Sequence, residues 1–294
     1  MNDISPAPIA WIGLGLIGLP MAARLVSAGR QVKAFDISRA RCELAAARGI
    51  ACAADAAGAI SGARLVFTSL PSEAALVDAA GAMAPSMRAD AILIETSTVG
   101  PDASAAVAKT LGRIAYLRAP ISGSPALAEA GTLSTFVSGP RAAFDAALPA
   151  LRAYTRAQTW LGEGEEARYA KLAVNLMVAV TAGMMGEALA FARKGGIAWP
   201  AMLDVIADSV VASPLVKYKL DPLRRRDFTP AATNSLVLKD LHVLVEAAER
   251  AGVPLPLASH MLGAYRSLVE GGAAEEDFFS AVKIAERAAG LGVP

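Results

Sequence analysis

The chain has 294 residues, 54% apolar and 19% charged, which is long enough for two domains with sizeable cores and excludes a disordered chain. Its 28 Lys and Arg against 27 Asp and Glu leave a formal net charge of +1, so there is no broad basic footprint for nucleic acid. Cys42 and Cys52 sit in an alanine-rich stretch that reads as helix and loop, without the spacing of a disulfide framework or a zinc site. No metal is expected, and a reducing cytoplasm fits this usage.

Met1 to Pro8 carries no Lys or Arg and so lacks the charged start of a secretory signal, which reads as a protein that stays inside the cell. From Ile9 to about Leu161, short β-rich runs alternate with alanine-rich segments of helical length, the pattern of βαβ units on a parallel sheet. The predicted strands are Ile9–Ile12, Gln31–Phe35, Leu65–Ser69, Ile92–Glu95, Tyr116–Arg118, Thr135–Ser138 and Gln158–Leu161. After Gly164 the strand signals stop and apolar residues fall on helical spacing nearly to Val293. The expected fold is therefore α/β: a Rossmann-type, doubly wound parallel sheet over residues 1–163, then an all-helical substrate and dimerisation domain over 164–294.

A single helix is predicted from about Glu165 to Lys194, and it joins the two domains. Leu172 to Gly186 is fifteen residues without a charge, short of a membrane span and interrupted by Asn175. Because nearly every face is apolar, burial all round is expected, within the domain or against a second subunit, and hence a homodimer or homotetramer. Pro200, Pro214, Pro222, Pro230, Pro254 and Pro256 mark helix boundaries or first-turn positions, and Arg224-Arg225-Arg226 reads as a solvated turn.

Directly after the first strand comes Gly13-Leu14-Gly15-Leu16-Ile17-Gly18, then a helical stretch to Ala28 that Gly29 can end. Gly13 permits the tight turn, Gly15 lets backbone approach a pyrophosphate, and Gly18 lets helix and strand pack closely. The next strand leads to Asp36, eighteen residues beyond Gly18, where a carboxylate binds ribose hydroxyls. Its charge would repel a 2′-phosphate and Arg39 is not placed to offset that, so NAD is favoured over NADP.

Nicotinamide enzymes differ in the group that moves the proton accompanying the hydride. A Cys/His zinc set and a Tyr-x-x-x-Lys pair are absent, and His242 and His260 read as packed or surface residues, which leaves a lysine or a carboxylate. Lys171 and Asn175 lie one turn apart on the long helix and share a face. On residues alone, they are either catalytic or the wet end of the helix with a hydrogen-bonded core amide.

Four separated motifs together resemble the β-hydroxyacid dehydrogenases, and they span almost the whole chain. They are Gly13 through Pro20-Met21-Ala22 to Ala28-Gly29; Ala119-Pro120-Ile121-Ser122-Gly123-Ser124; Lys171-Leu172-Ala173-Val174-Asn175; and Lys239-Asp240-Leu241, with Asp227-Phe228 before it and Gly252-Val253-Pro254-Leu255-Pro256 after. The resemblance implies a hydride transfer between NAD and a small β-hydroxyacid or its semialdehyde, with a carboxylate-bearing substrate. It implies Lys171 as general acid or base, Asn175 orienting substrate, Ser122 and Gly123 holding the carboxylate, and Lys239 approaching the nicotinamide ribose. Leu70, Pro71 and Thr98 match positions that line the family's cofactor cleft. An ammonium desolvated in a closed cleft would have its pKa pushed down, while a substrate carboxylate would push it back up.

Two positions depart from the family's pattern: Arg118 stands where an acidic residue usually precedes the Ala-Pro, and Ser124 where a second glycine is usual. If that loop position needs positive φ, Ser124 carries strain or forces a different loop, and the alternative is that its hydroxyl recognises a polar substrate group. The segment Asp208 to Pro214 also lacks the family's usual Gly and Ser richness near the substrate side chain. Alternatives on the same architecture are an imine or other carbonyl-type reductase, and a non-catalytic nucleotide-binding or scaffolding protein.

Overall fold

A computed structural model gives the structure of residues 8–292, so the reading made above on Met1 to Pro8 falls, but for Pro8, outside the described residues. The chain first alternates strand and helix: β1 (Ile9–Ile12), α1 (Gly18–Ser27), β2 (Val32–Phe35), α2 (Arg39–Ala46), β3 (Ala51–Cys52), α3 (Ala56–Ile60), β4 (Leu65–Thr68), α4 (Glu73–Met83), β5 (Ile92–Glu95) and α5 (Pro101–Leu111). It continues through β6 (Ala115–Arg118), β7 (Ile121–Ser122), α6 (Pro125–Ala130), β8 (Leu133–Ser138), α7 (Arg141–Leu151) and β9 (Thr155–Gly162). The strands lie in the order β3-β2-β1-β4-β5-β6-β8-β7, and β9 pairs with β8. The first six strands are parallel, and β8 runs antiparallel to both β6 and β7.

The order 3-2-1-4-5-6 puts a topological switch point between β1 and β4, where open α/β sheets bind ligands beyond their carboxyl ends. Alternate residues of β1 serve the sheet's two faces: Ile9 and Trp11 enter one core, Ala10 and Ile12 the other. Trp11 stacks on Phe67 of β4 at 5.0 Å and donates its indole N–H to the carbonyl of Gly13 at 2.9 Å. The core thus holds the loop above it.

Strands β3 and β7 were not predicted, and β3 corrects the reading of Cys52, which stands on a strand and not in helix or loop. Both cysteines are free thiols. Burial, then the neighbouring Cys42, pushes the Cys52 thiol up to about 12.

The chain divides into two compact units between Lys171 and Leu172, inside the helix α8 (Glu166–Lys194), eight residues past the predicted boundary at 163. The first turn of α8 belongs with the sheet because Ala167 donates its N–H to Ser138 Oγ at 3.2 Å and Arg168 is buried among strand ends. The second unit is helical, with the rest of α8 followed by α9 (Trp199–Ala207), α10 (Pro214–Arg225), α11 (Asn234–Arg250), α12 (Pro256–Leu268) and α13 (Val282–Ala288). Within it, a Cβ on Gly183 would lie 2.5 Å from Met261 Sδ, and one on Gly186 would lie 2.9 Å from Val282 Cα. The two glycines let α12 and α13 approach the α8 backbone.

Two readings of the helical half need correction, those of Pro222 and Arg226. Helix α8 is buried in part by its own chain, and Met177, Met184 and Phe191, which are 70%, 49% and 83% exposed, recur on one face. It is the one helix among the described residues long and apolar enough to cross a membrane. Pro222 lies inside α10 and not at a boundary. Arg226 is not a solvated turn residue: it caps α10 at φ 55°, pairs with both oxygens of Glu286 at 2.7 and 2.8 Å, and lies over the Trp199 ring.

Candidate active site

The glycine loop takes the conformation its sequence requires. Gly13 has φ +93°, and a Cβ there would sit 2.2 Å from the Ser69 carbonyl oxygen at the end of β4. A Cβ on Gly18 would strike the Gly13 carbonyl oxygen at 2.2 Å, so α1 can begin where it does only with glycine. Gly15 differs, for nothing lies within 4 Å of its Cβ position. The start of α1 has no side-chain cap at Ile17 and no acidic residue in its first turn. Open space over Gly15 beside uncapped helix N–H groups fits a pyrophosphate. Leu14 is buried beneath the loop, whereas Leu16 is 67% exposed.

Asp36 directly follows β2. Its Oδ2 accepts the Leu14 N–H at 2.6 Å and its Oδ1 accepts the Ser38 N–H at 2.8 Å, which fixes the carboxylate beside the loop. Each carboxylate oxygen retains acceptor capacity for a ribose hydroxyl. Leu70 and Pro71 follow β4 and Thr98 follows β5, and the two turns are tied together. Leu70 donates its N–H to Ser97 Oγ at 2.7 Å, and Gly100 donates to Glu73 at 2.6 Å. The expected cofactor residues Gly13 to Gly18, Asp36, Leu70, Pro71 and Thr98 therefore all stand at the carboxyl ends of β1, β2, β4 and β5.

The loop Ala119 to Ser124 leaves β6 and passes through β7. Gly123 has φ +144°, and a Cβ there would meet Leu133 Cδ2 at 2.5 Å. Ser124 carries no strain: its φ is −101° and its hydroxyl caps α6 by accepting the Leu127 N–H at 3.4 Å. Arg118 is buried, and its guanidinium pairs with Glu165 and lies 4.4 Å above the Tyr116 ring. The charge that departs from the family's pattern is thus neutralised inside the chain.

Lys171 stands in the second turn of α8, three residues after Arg168. Arg168 and Glu95 form a fully buried ion pair. Arg168 also donates to the Ser97 carbonyl at 3.0 Å, to the Tyr116 hydroxyl at 2.9 Å and to Ser104 Oγ at 3.3 Å. Burial works against the Arg168 charge, but Glu95 and Tyr116 outweigh it and the guanidinium pKa rises; burial also raises that of the Tyr116 phenol. The sequence reading missed this cluster. Its one signal was Glu95 itself, a carboxylate closing the otherwise apolar strand Ile-Leu-Ile-Glu, which needs a buried cation.

In the second unit, Asn175 donates its amide N–H to Asp240 Oδ2 at 2.8 Å, and Lys239 Nζ lies 2.9 Å from Asp240 Oδ1. Asp240 thereby joins two predicted site residues that are 64 positions apart, a role the sequence reading had not given it. His242 is half-buried on α11 and His260 exposed on α12. Among the described residues no group of three or more His, Cys, Asp or Glu could hold a metal ion.

A glycine loop and an acidic strand end at the switch point of such a sheet define a dinucleotide-binding protein. Residues 8–162 match the NAD-binding domain of 6-phosphogluconate dehydrogenase, and residues 165–285 match the NAD-binding domain of NADP-dependent 3-hydroxyisobutyrate dehydrogenase. The chain is similar to 2-(hydroxymethyl)glutarate dehydrogenase of Eubacterium barkeri, at 28% identity over 97% of each chain. It is 31% identical to NAD-dependent L-serine dehydrogenase of Pseudomonas aeruginosa, over 92% of this chain and 95% of that one. Mycobacterium tuberculosis 3-hydroxyisobutyrate dehydrogenase, solved with L-serine, superposes with a TM-score of 0.86 at 28% identity, covering 95% of this chain and 98% of that one. The chain belongs to the β-hydroxyacid dehydrogenase family, and it is an NAD-dependent hydroxyacid dehydrogenase.

Proposed function

We propose that the enzyme interconverts a small β-hydroxyacid and its semialdehyde, with Lys171 as the general acid and base. The observation that carries this reading is the pair Lys171 and Asn175 on one face of α8, with the Asn175 amide held by Asp240. NAD, which the loop Gly13 to Gly18 and Asp36 would hold, would supply the hydride acceptor for the carbon that bears the hydroxyl, and the hydride donor in the reverse direction. Lys171 Nζ removes the hydroxyl proton as that hydride leaves, and gives it back during reduction. Ser122 and the backbone of Gly123 hold the substrate carboxylate, Asn175 orients the hydroxyl, and Lys239 approaches the nicotinamide ribose. Asp36 favours NAD, because a 2′-phosphate would add charge against its carboxylate.

The proposal includes a cytoplasmic homo-oligomer, a dimer or tetramer. Two free thiols suit a reducing compartment. Met177, Met184 and Phe191 form an exposed row, and at its end Phe191 also lines a groove of about 500 Å³ with Met261, Ala264 and Ile284. A second copy covering this row, and not lipid, is the reading we adopt.

The test is NADH formation by the wild type and Lys171→Ala over a panel of β-hydroxyacids, with NADP in parallel. Turnover that falls by about 10² or more in the variant supports the acid–base role. Equal activity removes Lys171 from the chemistry, and turnover of a cyclic imine but of no hydroxyacid replaces the reading.

A further inference from the structure

The first unit holds a charged cluster that no step of the reaction above uses. Arg168, Glu95 and Ser104 are fully buried, and Tyr116 and Arg118 nearly so. Ser104 on α5 is the hinge of the cluster, because its Oγ accepts an N–H from Arg118 and one from Arg168, each at 3.3 Å. Arg118 closes one side on Glu165, at 3.0 Å from its Nε. Arg168 closes the other on Glu95, whose second oxygen accepts the Ser97 N–H at 2.5 Å. Two cations thus balance two anions.

The position of this cluster matters more than its charge. Arg118 is the residue immediately before Ala119-Pro120, where the substrate loop departs. Ser97 holds the Leu70 N–H, so the same cluster reaches the turn after β4. Arg168 precedes Lys171 by three residues, about 4.5 Å along the helix axis. Apolar packing is non-directional, and the long apolar stretch of α8 resists rotation or axial slippage only weakly. A one-residue error would turn Lys171 through about 100° and shift it by about 1.5 Å. A guanidinium with a fixed fork of donors meeting four separate acceptors resists both motions.

We infer that Glu95, Arg168, Ser104, Arg118 and Glu165 are positioning residues, a clamp that sets Lys171 against the substrate loop. This inference rests on Lys171 being the acid–base group. The buried ionic chemistry is consistent with such a role, since apolar residues of similar volume would often serve stability equally well.

The test uses the full chain carrying Glu95→Gln with Arg168→Met, which removes both charges together and leaves no lone buried ion; the glutamine can still accept the Ser97 N–H. Without cofactor or substrate, hydrogen exchange should speed by about tenfold or more over residues 166–175, with little change over 13–18. Unchanged exchange over 166–175 overturns the clamp. With 3-hydroxyisobutyrate and L-serine as probes, kcat should fall by about tenfold or more while the Kd for NAD moves by less than about threefold. The loss should vanish when the substitutions are made in Lys171→Ala, because two changes acting through one group are not additive. An equal loss in both backgrounds overturns the positioning role and leaves Lys171 standing, whereas a Lys171→Ala enzyme as active as wild type removes the reading beneath it. Ser104→Ala, which frees both guanidiniums without stranding a charge, gives the same contrast in smaller measure should the paired substitution fail to fold.

Discussion

Both compact units bury an ion pair, and the surroundings of the two pairs differ. In the first, Arg168 and Glu95 lie among polar groups of β5, β6 and α5, beside residues proposed for cofactor and substrate. In the second, Lys219 meets both oxygens of Asp277 at 2.8 and 2.7 Å, with the rings of Phe278 and Tyr218 at 4.9 and 5.0 Å. Asp277 also accepts the N–H groups of Ala231 and Phe279, and none of the proposed site residues belongs to this corner. An ammonium is a compact charge that one carboxylate satisfies from many angles, whereas a guanidinium's planar fork dictates direction. One pair orients a site and the other closes a loop.

That contrast is sharpest where the second pair is broken. Lys219→Met should cost about 3–5 kcal/mol in urea unfolding, because Asp277 is left buried without its counter-ion, while kcat per folded molecule stays at the wild-type value. A matching fall in kcat would erase the distinction. Asp36 is an intermediate case, a half-buried carboxylate satisfied by backbone N–H groups. Asp36→Ala should raise the KM for NAD by about 10- to 100-fold, with little loss of kcat, the scale of a hydrogen bond to a charged group. An unchanged preference between NAD and NADP would remove the ribose assignment. At the exposed extreme, Arg224 pairs with Asp204 at 2.6 Å, with the two side chains 36% and 65% exposed. Arg224→Ala should shift the unfolding free energy by no more than about 1 kcal/mol, and a larger effect would show that solvent screens this pair less than its exposure implies.

What the sequence revealed was what short-range rules govern. Strand β1, the loop Gly13 to Gly18, α1 and Asp36 form one local unit, and the turn geometry permits few residues there. The long helix was also legible, because residues 165–194 contain no proline and Leu172 to Gly186 no charge, and α8 begins within one residue of the predicted start. The two-residue strands β3 and β7 were missed because a period-2 pattern needs more residues than they have. The Arg168–Glu95 pair joins positions 73 apart, and no local spacing announces which distant charge a buried glutamate will find. Arg226 was misread for the same reason, since its partner Glu286 lies 60 residues further on. Ser124 was judged by the family's glycine, when its local context, a serine before a proline that opens a helix, was a capping signal.

The Asp36 carboxylate is already held by the Leu14 and Ser38 N–H groups before any ribose arrives. Its rotamer freedom is lost when the domain folds, so little side-chain entropy is left to lose at the moment of cofactor binding. On the proposed ribose assignment, the adenosine end would therefore meet a carboxylate already in place, and cofactor binding would call for no rearrangement of it.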